Sequence, residues 1–205
     1  MRLTFRSRRL AKPHLAALLI AAGVLGRILL ASAANVEPVL ILSMLAGAIL
    51  GSYYALVVPV AIMGLSDLYF YLVPYGGQYS TFAILGLAAF VYTGFAFVAA
   101  MGGFAMRHRL VWRTKTIAIF TAISVPLTIS FDVWTAFGDW LFLGSRFGLT
   151  LQQVYVMQFP FTLIHILSSL LFAPILGTTF LALHLHGLPV PGTAPSETPG
   201  QAPDE

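Results

Sequence analysis

Residues 117–143 read IAIFTAISVPLTISFDVWTAFGDWLFL, a run apolar enough to cross a membrane that still carries two carboxylates. Thr121, Ser124, Thr128, Asp132, Thr135 and Asp139 recur in it at spacings of 3, 4, 4, 3 and 4. At 100° per residue they fall within an arc of roughly 80°, so a helix here has one polar face. A charge inside a spanning helix is costly. It normally turns toward the bundle interior, finds a partner and marks a functional site. The stretch therefore predicts one helix of a multi-span bundle with polar groups held between helices.

Working outward, residues 155–183 repeat the pattern: Gln158, Thr162, His165 and Ser169 fall within an arc of about 60°. Two such stripes can face each other and line a hydrated cavity. Hydroxyls alone can also glue helices together or bond back to their own backbone. The presence of Asp132 and His165 in the stripes favours the cavity. Arg27 and Asp67 sit at a matching depth in two further apolar runs, about 21–23 Å above the helix starts at 1.5 Å per residue, as does Asp132. One cation and two carboxylates at one level predict that Arg27 pairs with Asp67, Asp132 or both. An unpaired charge would cost about 2.5–3.5 kcal/mol even on insertion scales.

Composition agrees. The chain is 59% hydrophobic and 9% charged, with a mean hydropathy of +0.88, far from the roughly 25% charged residues of a soluble domain. Spans are read over 13–33, 38–51 (a short one), 53–73, 81–103, 117–143 and 155–183, giving an all-α six-helix bundle over 13–187. Residues 1–12 form a basic N-terminus. The Pro- and Gly-rich stretch 188–205 reads as a disordered tail. Pro38, Pro74 and Pro160 are placed near helix ends, and Pro59, Pro126 and Pro174 inside. The alternation of a membrane barrel is absent. No cysteine is present, which excludes disulfides and thiolate chemistry.

Orientation follows from the basic residues. Arg2, Arg6, Arg8, Arg9 and Lys12, with Arg107, Arg109, Arg113 and Lys115, put nine of the eleven on one side. The positive-inside rule places both segments, and hence both termini, in the cytoplasm. Ala31-Ser32-Ala33 after a basic start resembles a leader cleavage site, but the run is long and Arg27 interrupts it. It is read as a retained first span. Ala17 and Ala21 on this span, with Ala22 and Gly26 one step round, give small-xxx-small spacing suited to helix contact, and Gly47 and Gly51 repeat it on the second.

The order L-G-R (25–27), N-V-E-P (35–38), A-G-A-I-L-G (46–51), S-D (66–67), F-D-V-W-T (131–135) and P-F-T-L-I-H-I-L-S (160–168) resembles the S components of energy-coupling factor (ECF) transporters. The resemblance spans about residues 15–180 and rests on order and spacing. It implies a substrate-binding subunit for a vitamin or related micronutrient in a prokaryotic cell membrane, with six helices, cytoplasmic termini and a pocket near the outer face. It also implies that Ala17 and Ala21 dock a transmembrane coupling (T) component driven by two ATPases. The chain has no G-x-x-x-x-G-K-[ST] phosphate loop, so ATP hydrolysis would belong to a partner.

The pocket is expected between spans one, three, five and six, with Arg27, Asn35, Glu37, Asp67, Tyr71, Gln78, Asp132, Trp134, Asp139, Gln158, Thr162 and His165 as substrate contacts. No catalytic residue, cofactor, metal or nucleic acid is expected. His165 alone among the histidines is mid-membrane, too few for a haem site, and no hydrolase spacing accompanies it. The alternatives are an autonomous proton- or ion-coupled carrier using the Arg–Asp–Asp–His set, and a structural subunit whose charges only pair.

Overall fold

Pro13, in the first turn where its missing N–H costs nothing, starts helix α1 (Lys12–Leu29). The computed structural model describes residues 5–8, 10–72 and 81–191. Leu15, Ala16, Leu19 and Gly23 of α1 turn inward, while Ala17 and Ala21 lie on its exposed side. Past Leu29 the chain folds back on itself. A Cβ on Gly26 would overlap the Pro38 ring, so residue 38 sits at the depth of residue 26.

From there α2 (Val39–Leu45) and a π-helical turn (Ala46–Leu50) run back beside α1, until the Lys12 ammonium donates to the Leu50 carbonyl at 3.1 Å. The lengths agree: about 21 Å up from Lys12 to Gly26, and about 18 Å back down over Val39–Leu50. Every residue of Val39–Leu50 is buried, as an all-round apolar helix requires. The second span is thus a central strut. Among the described residues five helices, not six, are long and apolar enough to cross a membrane: α1, α3 (Ser52–Leu72), α4 (Thr81–Met106), α5 (Thr114–Phe142) and α6 (Leu151–His186). The chain is a multi-pass membrane protein with an all-α bundle of six helices.

Glycine serves the interior of this bundle. A Cβ on Gly102 would lie 2.9 Å from the Met44 Cα, one on Gly47 would overlap the Ala99 carbonyl, and one on Gly103 would lie 2.8 Å from the Gly47 oxygen, so α2 with the π-helical turn that continues it touches α4 backbone to backbone. Gly47 and Gly51 have different surroundings. The first is packed on α4, and the second, at φ 97°, makes the turn into α3.

α6 begins earlier than its apolar run suggests, because Thr150 and Gln153 form a capping box. Pro160 is consequently interior to the helix rather than near its end. Residues Leu188–Pro191, the start of the tail, pair antiparallel with Phe5–Arg8 (β2 with β1; Arg8 opposite Leu188). Arg107 reaches Ser52 at 3.4 Å, so the α3 start and the α4 end share one end of the bundle with Lys12.

Candidate functional site

Arg27 projects from the last turn of α1, opposite Asp67 on α3. Its Nη1 donates to Asp67 Oδ1 at 2.5 Å and to Ser66 Oγ at 2.6 Å, and its Nε lies 3.4 Å from Glu37 Oε2. The guanidinium also stands 5.6 Å above the Phe70 ring. Tyr92 on α4 donates its hydroxyl to Asp67 Oδ2 at 2.9 Å. Ser66 donates in turn to the Ile62 carbonyl, which fixes its lone pairs toward Arg27. One cation faces two carboxylates, leaving a formal charge of −1. The side chains of Arg27, Glu37 and Asp67 are 20, 23 and 38% exposed, so this cluster is open on one side. It lines a recess of about 350 Å³ with Asn35 and the rest of the 30–37 segment. Asn35 holds φ 59°, a left-handed conformation that asparagine tolerates and that turns the segment over the recess.

The second cluster is closed. His165 Nδ1 and Asp132 Oδ1 are 2.8 Å apart between α6 and α5, with side chains 3 and 4% exposed. Thr128 and Ser169 bond at 2.8 Å on the same two stripes, so the two polar faces do meet. Phe131 turns its edge to the imidazole at 5.7 Å. Asp132 Oδ2 and His165 Nε2 are buried without a partner among the described residues. The pair can hold a proton between two heteroatoms, but no free nucleophile stands with it among the described residues. Ser169 is engaged with Thr128, and Ser168 with the backbone of Glu37.

Arg27 and Asp132 do not share a cluster. α1 packs on α3 and α2, and α2 stands between α1 and the α5–α6 pair. Ser168 bridges the two regions instead: its Oγ accepts from the Glu37 N–H at 3.1 Å and donates to the Glu37 carbonyl at 3.3 Å. Glu37 is thus clamped by its backbone to α6 and by its side chain to Arg27.

The remaining expected contacts do not gather in one pocket. Asp132, Gln158 and Thr162 line a recess of about 450 Å³ on the α5–α6 face, with Tyr155. Trp134 lines another of about 370 Å³ with Thr93, to which its indole donates at 3.0 Å. Asp139 is partly buried on α5 and borders none of these three. Tyr71 is the last residue but one of α3, with its side chain outside the described residues, as is all of Gln78. Among the described residues no group of three His, Asp or Glu is spaced to hold a metal.

Three contributors escape a reading by polar stripes: Ser66, Tyr92 and Ser168. Ser168 follows His165 by three residues and was within reach of the same periodicity; Ser66 adjoins Asp67. Tyr92 lies alone in an apolar helix and gives no signal. No curated protein and no solved structure matches the chain. A family model described as a family of unknown function (DUF6580) matches residues 8–190, and the chain belongs to that family.

Proposed function

We propose that this protein is the substrate-binding subunit of an ATP-driven importer of the ECF type, capturing a micronutrient in the recess beside Arg27. The observation that supports the reading is the open cluster itself. Two carboxylates and a guanidinium, pre-oriented by Ser66, Tyr92 and Ser168, border a recess of about 350 Å³ under the 30–37 segment. Sites of this kind combine apolar walls with few placed polar groups. In this reading the basic end faces the cytoplasm of a prokaryotic cell, both termini lie inside, and the recess opens outward. Ala17 and Ala21, exposed in the half of α1 away from Arg27, dock the coupling component, and two ATPases supply the energy.

The test is uptake into proteoliposomes by the chain alone and with candidate coupling protein and ATPases, after native mass spectrometry across a micronutrient panel has named a ligand. Ala17→Trp and Ala21→Trp should abolish uptake and leave binding within about twofold, because bulk blocks close helix approach. One observation favours a second reading, the carrier that works alone: the buried Asp132–His165 pair with two unpartnered polar atoms. Uptake by the lone chain, driven by a proton gradient and indifferent to both tryptophans, would select it.

A further inference from the structure

The basic end of the bundle holds a recess that neither polar cluster uses. Its floor is the contact of α2 with α4, where Gly47, Ala99 and Gly103 bring the two backbones together and offer no side chain to fill the space above. What stays hollow is about 320 Å³. Its apolar lining includes Ala55, Ala100 and Phe104, the last 84% exposed, and Leu56, next to Ala55 on α3 but outside the lining, is 58% exposed. Its far end is cationic. Arg107 and His108 line it together with Ser52. Among the described residues the guanidinium of Arg107 makes one hydrogen bond, the loose 3.4 Å contact to Ser52. His108 has no hydrogen-bond partner among the described residues, and no carboxylate lines the recess.

We infer that this recess binds the phosphate headgroup of an anionic phospholipid. The charge complementarity is direct, since a guanidinium and an imidazole at a membrane edge are the donors a phosphodiester accepts from. The apolar wall selects a lipid over a free anion. Acyl chains can run from the headgroup along Phe104 and Leu56, a surface that inorganic phosphate would leave uncovered. The neighbouring loop supplies further positive charge at Arg109, Arg113 and Lys115, which draws anionic lipid to this leaflet generally but does not shape a site.

Native mass spectrometry of the full chain, equilibrated with phosphatidylglycerol or phosphatidylcholine of identical chains, tests the inference. The protein should retain phosphatidylglycerol in preference. Arg107→Gln with His108→Gln should weaken that retention by about fivefold or more, the worth of one basic residue near an anionic surface. Arg107→Lys should keep most of it, and Lys115→Gln, which removes a charge from the same end outside the recess, should stay within about twofold. All three positions are surface-exposed, and near-UV circular dichroism checks that each variant is folded. Equal retention of both lipids, or equal losses in the Lys115 and Arg107 variants, would overturn the site in favour of general surface attraction. Displacement of the lipid by millimolar inorganic phosphate would overturn the lipid as its occupant.

Discussion

The two polar clusters hold the same kinds of group in opposite surroundings. Around Arg27 three charged side chains meet at the bundle end, each at least one-fifth exposed, with one more carboxylate than the cation can neutralise. Between α5 and α6 a single carboxylate meets a single imidazole almost out of reach of solvent. The open cluster can exchange part of its network for a ligand at little cost, because water already shares in solvating it. The closed one cannot give up either partner without stranding the other in a low-dielectric interior. Glu37 ties them together, since Ser168 holds its backbone one helical turn from His165.

The comparison can be broken most directly at Arg27. Arg27→Ala strands Asp67 and Glu37 together, and thermal unfolding in detergent should show a loss of about 3 kcal/mol. Asp67→Asn in the same background should restore part of it by removing one of the two charges. At the closed pair, Asp132→Leu leaves the imidazole buried and unpaired and should cost about 2 kcal/mol, whereas Asp132→Asn, which can still bond Nδ1, should cost under about 1 kcal/mol. If Asn proves as damaging as Leu, the charge and not the hydrogen bond is what the closed site requires, and the contrast between the clusters sharpens.

The bridge comes next. Ser168→Ala frees the Glu37 N–H and carbonyl and should cost about 1 kcal/mol. It should also raise amide hydrogen exchange over residues 30–37 while leaving α5 unchanged. Faster exchange spreading into α5 would mean that the two clusters are one cooperative unit. Smallest is Glu37→Gln, which removes the longer of the two Arg27 contacts and should change stability by about 0.5 kcal/mol. Its main effect should fall on ligand affinity, measured by titration with whatever native mass spectrometry identifies. A large stability loss with unaltered binding would make the open cluster structural.

Much of this was legible in the chain. Hydropathy marked the long helices because a backbone in lipid must satisfy its own hydrogen bonds, and long apolar runs leave little choice but helix. Periodicity of 3.6 identified the α5 and α6 stripes, and these do meet at Thr128–Ser169 and Asp132–His165. The Thr150–Gln153 capping box was equally present as T-x-x-Q, though the apolar run alone started α6 four residues late.

By itself the sequence determined position along a helix: counting residues matched Arg27 with Asp67, which do meet, since each residue advances the axis by a constant rise. Only the tertiary structure decided who meets whom, because position around the bundle depends on how each helix is rotated and what packs between. The buried α2 strut, backbone to backbone with α4 through Gly47 and Gly103, stands between α1 and the α5–α6 pair. It leaves Arg27 to Asp67 and Glu37, and Asp132 to His165. A helix apolar on every side reads in sequence as one more membrane span. Its enclosure by the other helices, with every one of its residues buried, is a property of the packed bundle alone.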